Sequence, residues 1–138
     1  VNPNLLTLAE SAARSASFTG EWQYVDEVDG ALFLLAVTAA ATEVGDTLDV
    51  YVDTSLDGVT AVNCVHFTQV LGNGGAVKYA AQLDPTNPGT SVFVATSDCA
   101  AGAVRPAVIG AYFRVRSVVV DAGTVNASFT WSLLALTR

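Results

Sequence analysis

Cys64 and His66 stand two residues apart in Val62-Asn-Cys-Val-His-Phe67. A thiol beside an imidazole is the first chemistry this sequence offers. Residues i and i+2 of an extended chain share a face, so the two side chains are expected near one another. A cysteine nucleophile works as its thiolate, which needs a loop or a helix N-terminus to present and stabilise it. The surrounding residues provide neither. His66 is the only histidine, and its place between Val65 and Phe67 reads as a structural strand position. No GxSxG elbow is present. Cys64 and Cys99, the two cysteines, read as small buried apolar side chains, with one disulfide left open in an oxidising compartment. With one histidine and no CxxC spacing, a zinc site of the usual kind is not available.

Carboxylates are the second source of chemistry. Asp49, Asp53 and Asp57 recur at intervals of four, and Asp26, Glu27 and Asp29 cluster. A glycosidase needs two carboxylates about 5 to 10 Å apart across a cleft. Alternating Asp49, Tyr51 and Asp53 on one strand instead read as a solvated face or a guarded edge. Asp53-Thr-Ser-Leu-Asp-Gly58 resembles the opening of a calcium loop, but Cys64 stands where the closing glutamate belongs. A hairpin with Asp57-Gly58 at its tip accounts for the same residues. Gly72 to Gly75 lacks the Lys-Ser/Thr of a phosphate-binding loop and also reads as a hairpin. Trp22, Tyr24, Tyr51 and Tyr79 could make a carbohydrate platform, though core or subunit interface is the preferred reading. The expectation is no catalytic residue, no cofactor and no metal.

The elements that would carry these residues are strands. Leu48-Asp-Val-Tyr-Val-Asp53 alternates apolar and polar residues, the period of a strand with one face in the core and one in water. Tyr112 to Arg116 alternates too, with Phe113 and Val115 inward and both arginines outward. Asn126 to Leu136 places Phe129, Trp131, Leu133 and Ala135 on one face. Ala31 to Thr38 is almost continuously apolar and predicts a central strand covered on both sides. Val62 to Leu71, Ala76 to Leu83, Ser91 to Thr96 and Ser17 to Val25 are further strands, and Ala100 to Pro106 is a small-residue loop. Asp-Gly and Asn-Gly turns separate these runs. Their spacing predicts about eight strands in a sandwich or barrel. Leu5 to Ser15 is the one stretch of helix-like composition; an extended N-terminal arm over residues 1–16 is preferred, ahead of a single β domain over 17–138.

Length and composition bound the function. A chain of 138 residues suits one domain. Hydrophobic residues make up 51%, yet no run approaches the roughly 20 apolar residues of a membrane span. The surplus apolar surface is expected to meet another protein chain. Charged residues make up only 14%, and the net charge is −7. Six basic residues cannot neutralise many phosphates, which counts against direct nucleic-acid binding.

Several motifs together carry a resemblance. They are Ser11-Ala-Ala-Arg-Ser-Ala-Ser-Phe-Thr-Gly20, Ala31-Leu-Phe-Leu-Leu-Ala-Val-Thr38, Leu48-Asp-Val-Tyr-Val-Asp-Thr-Ser-Leu-Asp-Gly58, Phe67-Thr-Gln-Val70, Ala111-Tyr-Phe-Arg-Val-Arg116 and Ala127-Ser-Phe-Thr-Trp-Ser-Leu133. In this order, along nearly the whole chain, they resemble small virion proteins encoded with the capsid genes of tailed bacteriophages. The motifs are strand and turn patterns, with no catalytic signature. The resemblance implies an antiparallel jelly-roll sandwich and a decoration (cement) role on the outside of the capsid. It also implies homotrimers seated on the major capsid protein, no enzymatic activity and no membrane, in a protein made in the host cytoplasm. Leu5, Leu6 and Leu8 of the arm, with Phe18 and Trp22, are the expected assembly contacts. Alternative readings are a head-to-tail connector or tail-fibre component, or a carbohydrate- or receptor-binding module. Asn87 to Pro106 is longer than that pattern leads one to expect and reads as a loop that contacts a neighbour.

Overall fold

Period-two patterning becomes two stacked antiparallel sheets. The computed structural model describes residues 4–25, 28–87, 89 and 92–138, and all statements below concern those residues. The strands are β1 (Asn4–Arg14), β2 (Phe18–Thr19), β3 (Gln23–Tyr24), β4 (Ala31–Ala39), β5 (Thr47–Ser55), β6 (Val62–His66), β7 (Val70–Leu71), β8 (Val77–Leu83), β9 (Ala103–Val104), β10 (Tyr112–Val120) and β11 (Phe129–Thr137). One sheet has the order β1-β11-β4-β8. The other has the order β2-β10-β5-β6-β9, with β3 also on β10 and β7 also on β5. The chain crosses between sheets at β1–β2, β3–β4, β4–β5, β7–β8, β8–β9 and β10–β11. Each crossing lets neighbouring stretches of chain bury their apolar faces against each other.

The core lies between the sheets. Phe33, Leu35, Val37, Phe129, Trp131, Leu133 and Ala135 come from one side; Leu48, Val50, Val52, Val65, Phe113 and Val115 come from the other. Phe33 and Phe113 meet edge to face across the gap, with ring centroids 5.4 Å apart. At the rim, the Arg14 guanidinium lies 4.4 Å over the Trp131 ring and donates to the Trp131 carbonyl at 2.8 Å. The inward residues expected for β10 and β11 are the ones that are buried.

Several expectations are corrected. The N-terminal segment is extended, as expected, but it is not a free arm. It forms an edge strand paired with β11 from Asn4↔Thr137 to Arg14↔Phe129. A register shift between Thr7 and Ala9 breaks the alternation, so Leu8 and Ala9 are both buried in the core. Residues 1–3 of that segment lie outside the described residues. Ser17 to Val25 is not one strand but two short ones. They are separated at Gly20, whose N–H donates to the Val115 carbonyl and where a Cβ would stand 3.0 Å from Val115 Cγ1. Residues 92–96 are not a strand: Val92 and Val94 face solvent, and the Ser97 N–H donates back to the Val94 carbonyl in a turn. Ser91, Asp26 and Glu27 lie outside the described residues. Ala100 to Pro106 contains the short strand β9.

The outward faces of β4 and β5 depart furthest from what their sequences predict. β4 is central in its sheet but covered on one side only. Leu32 is 44% exposed and Leu34 is 38% exposed. β5 shows the reverse: its outward face, expected in water, is mostly buried, with Asp53 only 1% exposed.

Candidate functional site

Two outward faces compete as the working surface, and their chemistry differs. The outward face of β5 and β10 is polar. Asp53 is paired with Arg114 on the neighbouring strand, and Arg114 Nε donates to Asp53 Oδ2 at 3.3 Å. Arg116 grips the same carboxylate twice: Nε to Oδ2 at 3.0 Å and Nη2 to Oδ1 at 3.2 Å. Arg116 also donates to Asp98 Oδ1 at 2.6 Å. Burial pulls the Arg116 guanidinium down, but the bonds to Asp53 and Asp98 outweigh it and hold the group above its ordinary value.

The segment carrying Asp98 is pinned over this face. Asn63 donates to Asp53 Oδ1 at 3.1 Å and accepts from the Cys99 N–H at 2.9 Å. Arg105 donates to the carbonyls of Asn63 and Ser97 at 2.7 and 2.9 Å and stacks 4.0 Å over the Phe93 ring. The loop expected to reach a neighbour thus spends residues 93–99 covering its own sheet. Asn63, Asp98 and Arg105 were not singled out in the sequence. The one signal available was alternation, with aspartates on β5 and arginines on β10 facing the same way.

His66 is engaged in the same structure. Nε2 lies 2.8 Å from Asp49 Oδ1, and Nδ1 lies 2.8 Å from the Cys99 carbonyl. Its ring stacks on Tyr51 at 4.1 Å. Both ring nitrogens thus already have partners within the fold. Cys64 does not share its face. It falls at a register shift between β5 and β6, is fully buried, and donates its S–H to the Val52 carbonyl. Burial pushes its thiol well above the ordinary value, away from the thiolate that nucleophilic chemistry needs. A hollow of about 270 Å³ at the seam between β8 and β9 touches His66 and is lined also by Thr68, Tyr79 and Gln82. Another hollow, of about 230 Å³, is bordered by Asp53, Asn63, Asp98 and Arg116, which are already paired with each other.

The remaining candidate chemistry resolves into turns. Asp57 accepts from the N–H groups of Val59 and Thr60, both at 2.8 Å, and from the Ser55 hydroxyl. These bonds hold its carboxyl below the usual carboxylate range. Gly58 sits at φ 76°, the backbone that Asp-Gly hairpin tips supply. Among the described residues, no group of three or more His, Cys, Asp or Glu is placed to hold a metal ion.

The outward face of β1, β11, β4 and β8 carries an apolar stripe, bordered by Ser132, Ala36 and Lys78 in the row beyond it. Across it, Leu5 opposes Leu136, which opposes Leu32, which opposes Gln82. In the next row Thr7, Leu134, Leu34 and Ala80 follow in turn. Leu5, at 65% exposed, stands at the end of this stripe. Of the other expected contact residues, Leu6 is half-buried and packs toward the core, and Leu8 belongs to the core itself. Phe18 packs edge-on against Trp131, and Trp22 lies under the Arg114 guanidinium at 4.4 Å. The structure does not bring these five together on one surface.

A solved structure supplies the comparison. It is titled "Structure of infectious bursal disease virus Gx strain", and it aligns with a TM-score of 0.58 over 99% of this chain and 32% of that one. This chain thus spans about a third of the length of the chain it matches. Sequence identity is 13%, so the likeness is one of fold. No family model matches the chain, and no curated protein matches it.

Proposed function

We propose that this chain is a structural protein of a virion that acts by assembly and not by catalysis. The observation that carries the proposal is the contrast between the two outward faces. The polar face is closed by its own ion pairs and loop. The apolar stripe on the other face, with Leu5, Leu32 and Leu34 exposed and Leu134 and Leu136 half-buried between them, is left open. Open apolar rows on a small acidic protein suit contact with another protein surface. The fold likeness to a virus structure supports the same reading, as does the winding of the two sheets, which we read as a jelly roll.

The finer reading is a decoration protein of a tailed bacteriophage. Copies, grouped as trimers, bind the outside of the shell formed by the major capsid protein and reinforce it. Several weak apolar contacts made at once give such a protein its avidity. The test is co-sedimentation with purified empty shells of the phage that encodes the chain. Wild type is expected to pellet with the shells, and a Leu32→Ser/Leu34→Ser double variant, changed only at exposed positions, to stay in solution. Equal binding by the folded double variant would reject the apolar face. No binding by the wild type would reject decoration.

A further inference from the structure

We infer that β8 is a self-pairing edge, through which two copies of this chain join their four-stranded sheets into one. Every open sheet has edge strands with unpaired N–H and C=O groups, and proteins usually blunt them. Here the edges are treated unequally. β1 is interrupted by register shifts at Thr7/Ala9 and Ala9/Ala12. The Gln23 amide also caps it from outside, donating to the Thr7 carbonyl at 2.9 Å. The outer strands of the second sheet, β2, β3 and β9, are two residues each. β8 has seven residues, VKYAAQL, without Pro or Gly. It pairs with β4 from Ala31↔Leu83 to Val37↔Val77 with no register shift. Among the described residues, no bond from a loop or side chain reaches the backbone of Val77 to Leu83 on its outer side. A long, regular edge of this kind, with Lys78 as its one charge, is a template for another strand.

The sequence of β8 matches itself when run antiparallel about Ala80. Ala80 then opposes Ala80 of the second copy, Tyr79 opposes Ala81, Lys78 opposes Gln82, and Val77 opposes Leu83. The one charge on the strand meets a neutral amide and never its own copy. The bulky Tyr79 meets the small Ala81. Faces agree as well: the partly or fully buried Val77, Tyr79, Ala81 and Leu83 oppose one another, as do the exposed Lys78, Ala80 and Gln82. A two-fold axis satisfies this arrangement with one patch. Ala80 and Gln82 lie beside Leu34 and Leu32, so the joined sheet runs the two open apolar faces into a single surface. The contact itself rests on the strand edge and does not depend on the virion reading.

The test is sedimentation of the full chain over a range of micromolar concentrations. Wild type, Ala80→Glu, Ala80→Lys and an equal mixture of the two variants are compared. Ala80 is exposed, and unchanged circular dichroism and unfolding midpoints verify the fold of each variant. The wild type is expected to show a reversible two-fold species, a dimer or a pair of trimers. Each variant alone places like charges directly opposite and is expected to weaken that association at least tenfold. The mixture places opposite charges there and is expected to restore it. A wild type that stays monomeric throughout overturns the inference, as does association that both charges leave unchanged. A trimer insensitive to both charges rejects the β8 contact while leaving the decoration reading standing.

Discussion

Asp53 and Arg116 meet through two hydrogen bonds across neighbouring strands, with the carboxylate almost wholly removed from water. This bidentate pair is the centre from which the outer face of the second sheet is closed. Asp53→Ala removes the acceptor shared by Arg114, Arg116 and Asn63. Breaking one side of a buried pair typically costs about 3–5 kcal/mol, and the two arginines keep partial access to water. The expected loss is therefore at the lower end, about 3 kcal/mol, read as a lower midpoint in urea unfolding. A loss below half of this would mean the network adds little to stability.

Gly72 and Gly75 are expected to respond differently to alanine. At Gly72 a Cβ would run into the Glu43 carbonyl oxygen. Backbone must move, and overpacking of this kind costs about 1–3 kcal/mol. At Gly75 nothing lies within 4 Å and the burden is φ +74° alone, about 1–2 kcal/mol. Thermal unfolding of the two variants should rank Gly72→Ala as the less stable.

Asp57 predicts a specific acid sensitivity. Its folded carboxyl is held below the ordinary value of 3.8 by the Thr60 and Val59 N–H groups and the Ser55 hydroxyl. A depressed value means the carboxylate stabilises the fold above the unfolded value, and that contribution is lost as pH falls through the folded one. Asp57→Ala should therefore narrow the difference from wild type as pH drops below 3.8. Melting temperatures from neutral pH downward would show it; a constant difference at all pH values would contradict the assignment.

Removing residues 1–16 tests the edge strand. The deletion takes Leu8 and Ala9 from the core and exposes the β11 edge along its length. Loss of cooperative unfolding or aggregation is the expected result. A soluble truncated protein with the wild-type melting profile would mean that β1 is only loosely docked.

Much of the fold was legible in the sequence because inward faces obey local rules. Phe113 and Val115 on β10, and Phe129, Trp131, Leu133 and Ala135 on β11, alternate with polar residues, and the period places them inside. Asp57-Gly58 marked its own turn by the backbone angle it needs. The interruptions were not legible. Between β2 and β3 the four steps from Thr19 to Gln23 are set against three on β10, from Arg116 to Phe113, and the shifts beside Ala9 and Cys64 likewise depend on the partner strand. No local pattern encodes such contacts.

The residues alone determined that this chain would be built from two-residue repeats of oily and polar side chains. They also determined which side of most strands faces inward. Only the tertiary structure decided what happens on the other side. Asp53, read as solvated, is sealed by arginines from β10 and by the loop through Asp98. Leu32 and Leu34, read as doubly covered, are left open because no segment among the described residues crosses β4 on the outside. An outward face is buried or exposed by chain segments far away in sequence, and strand periodicity carries no information about where they pass.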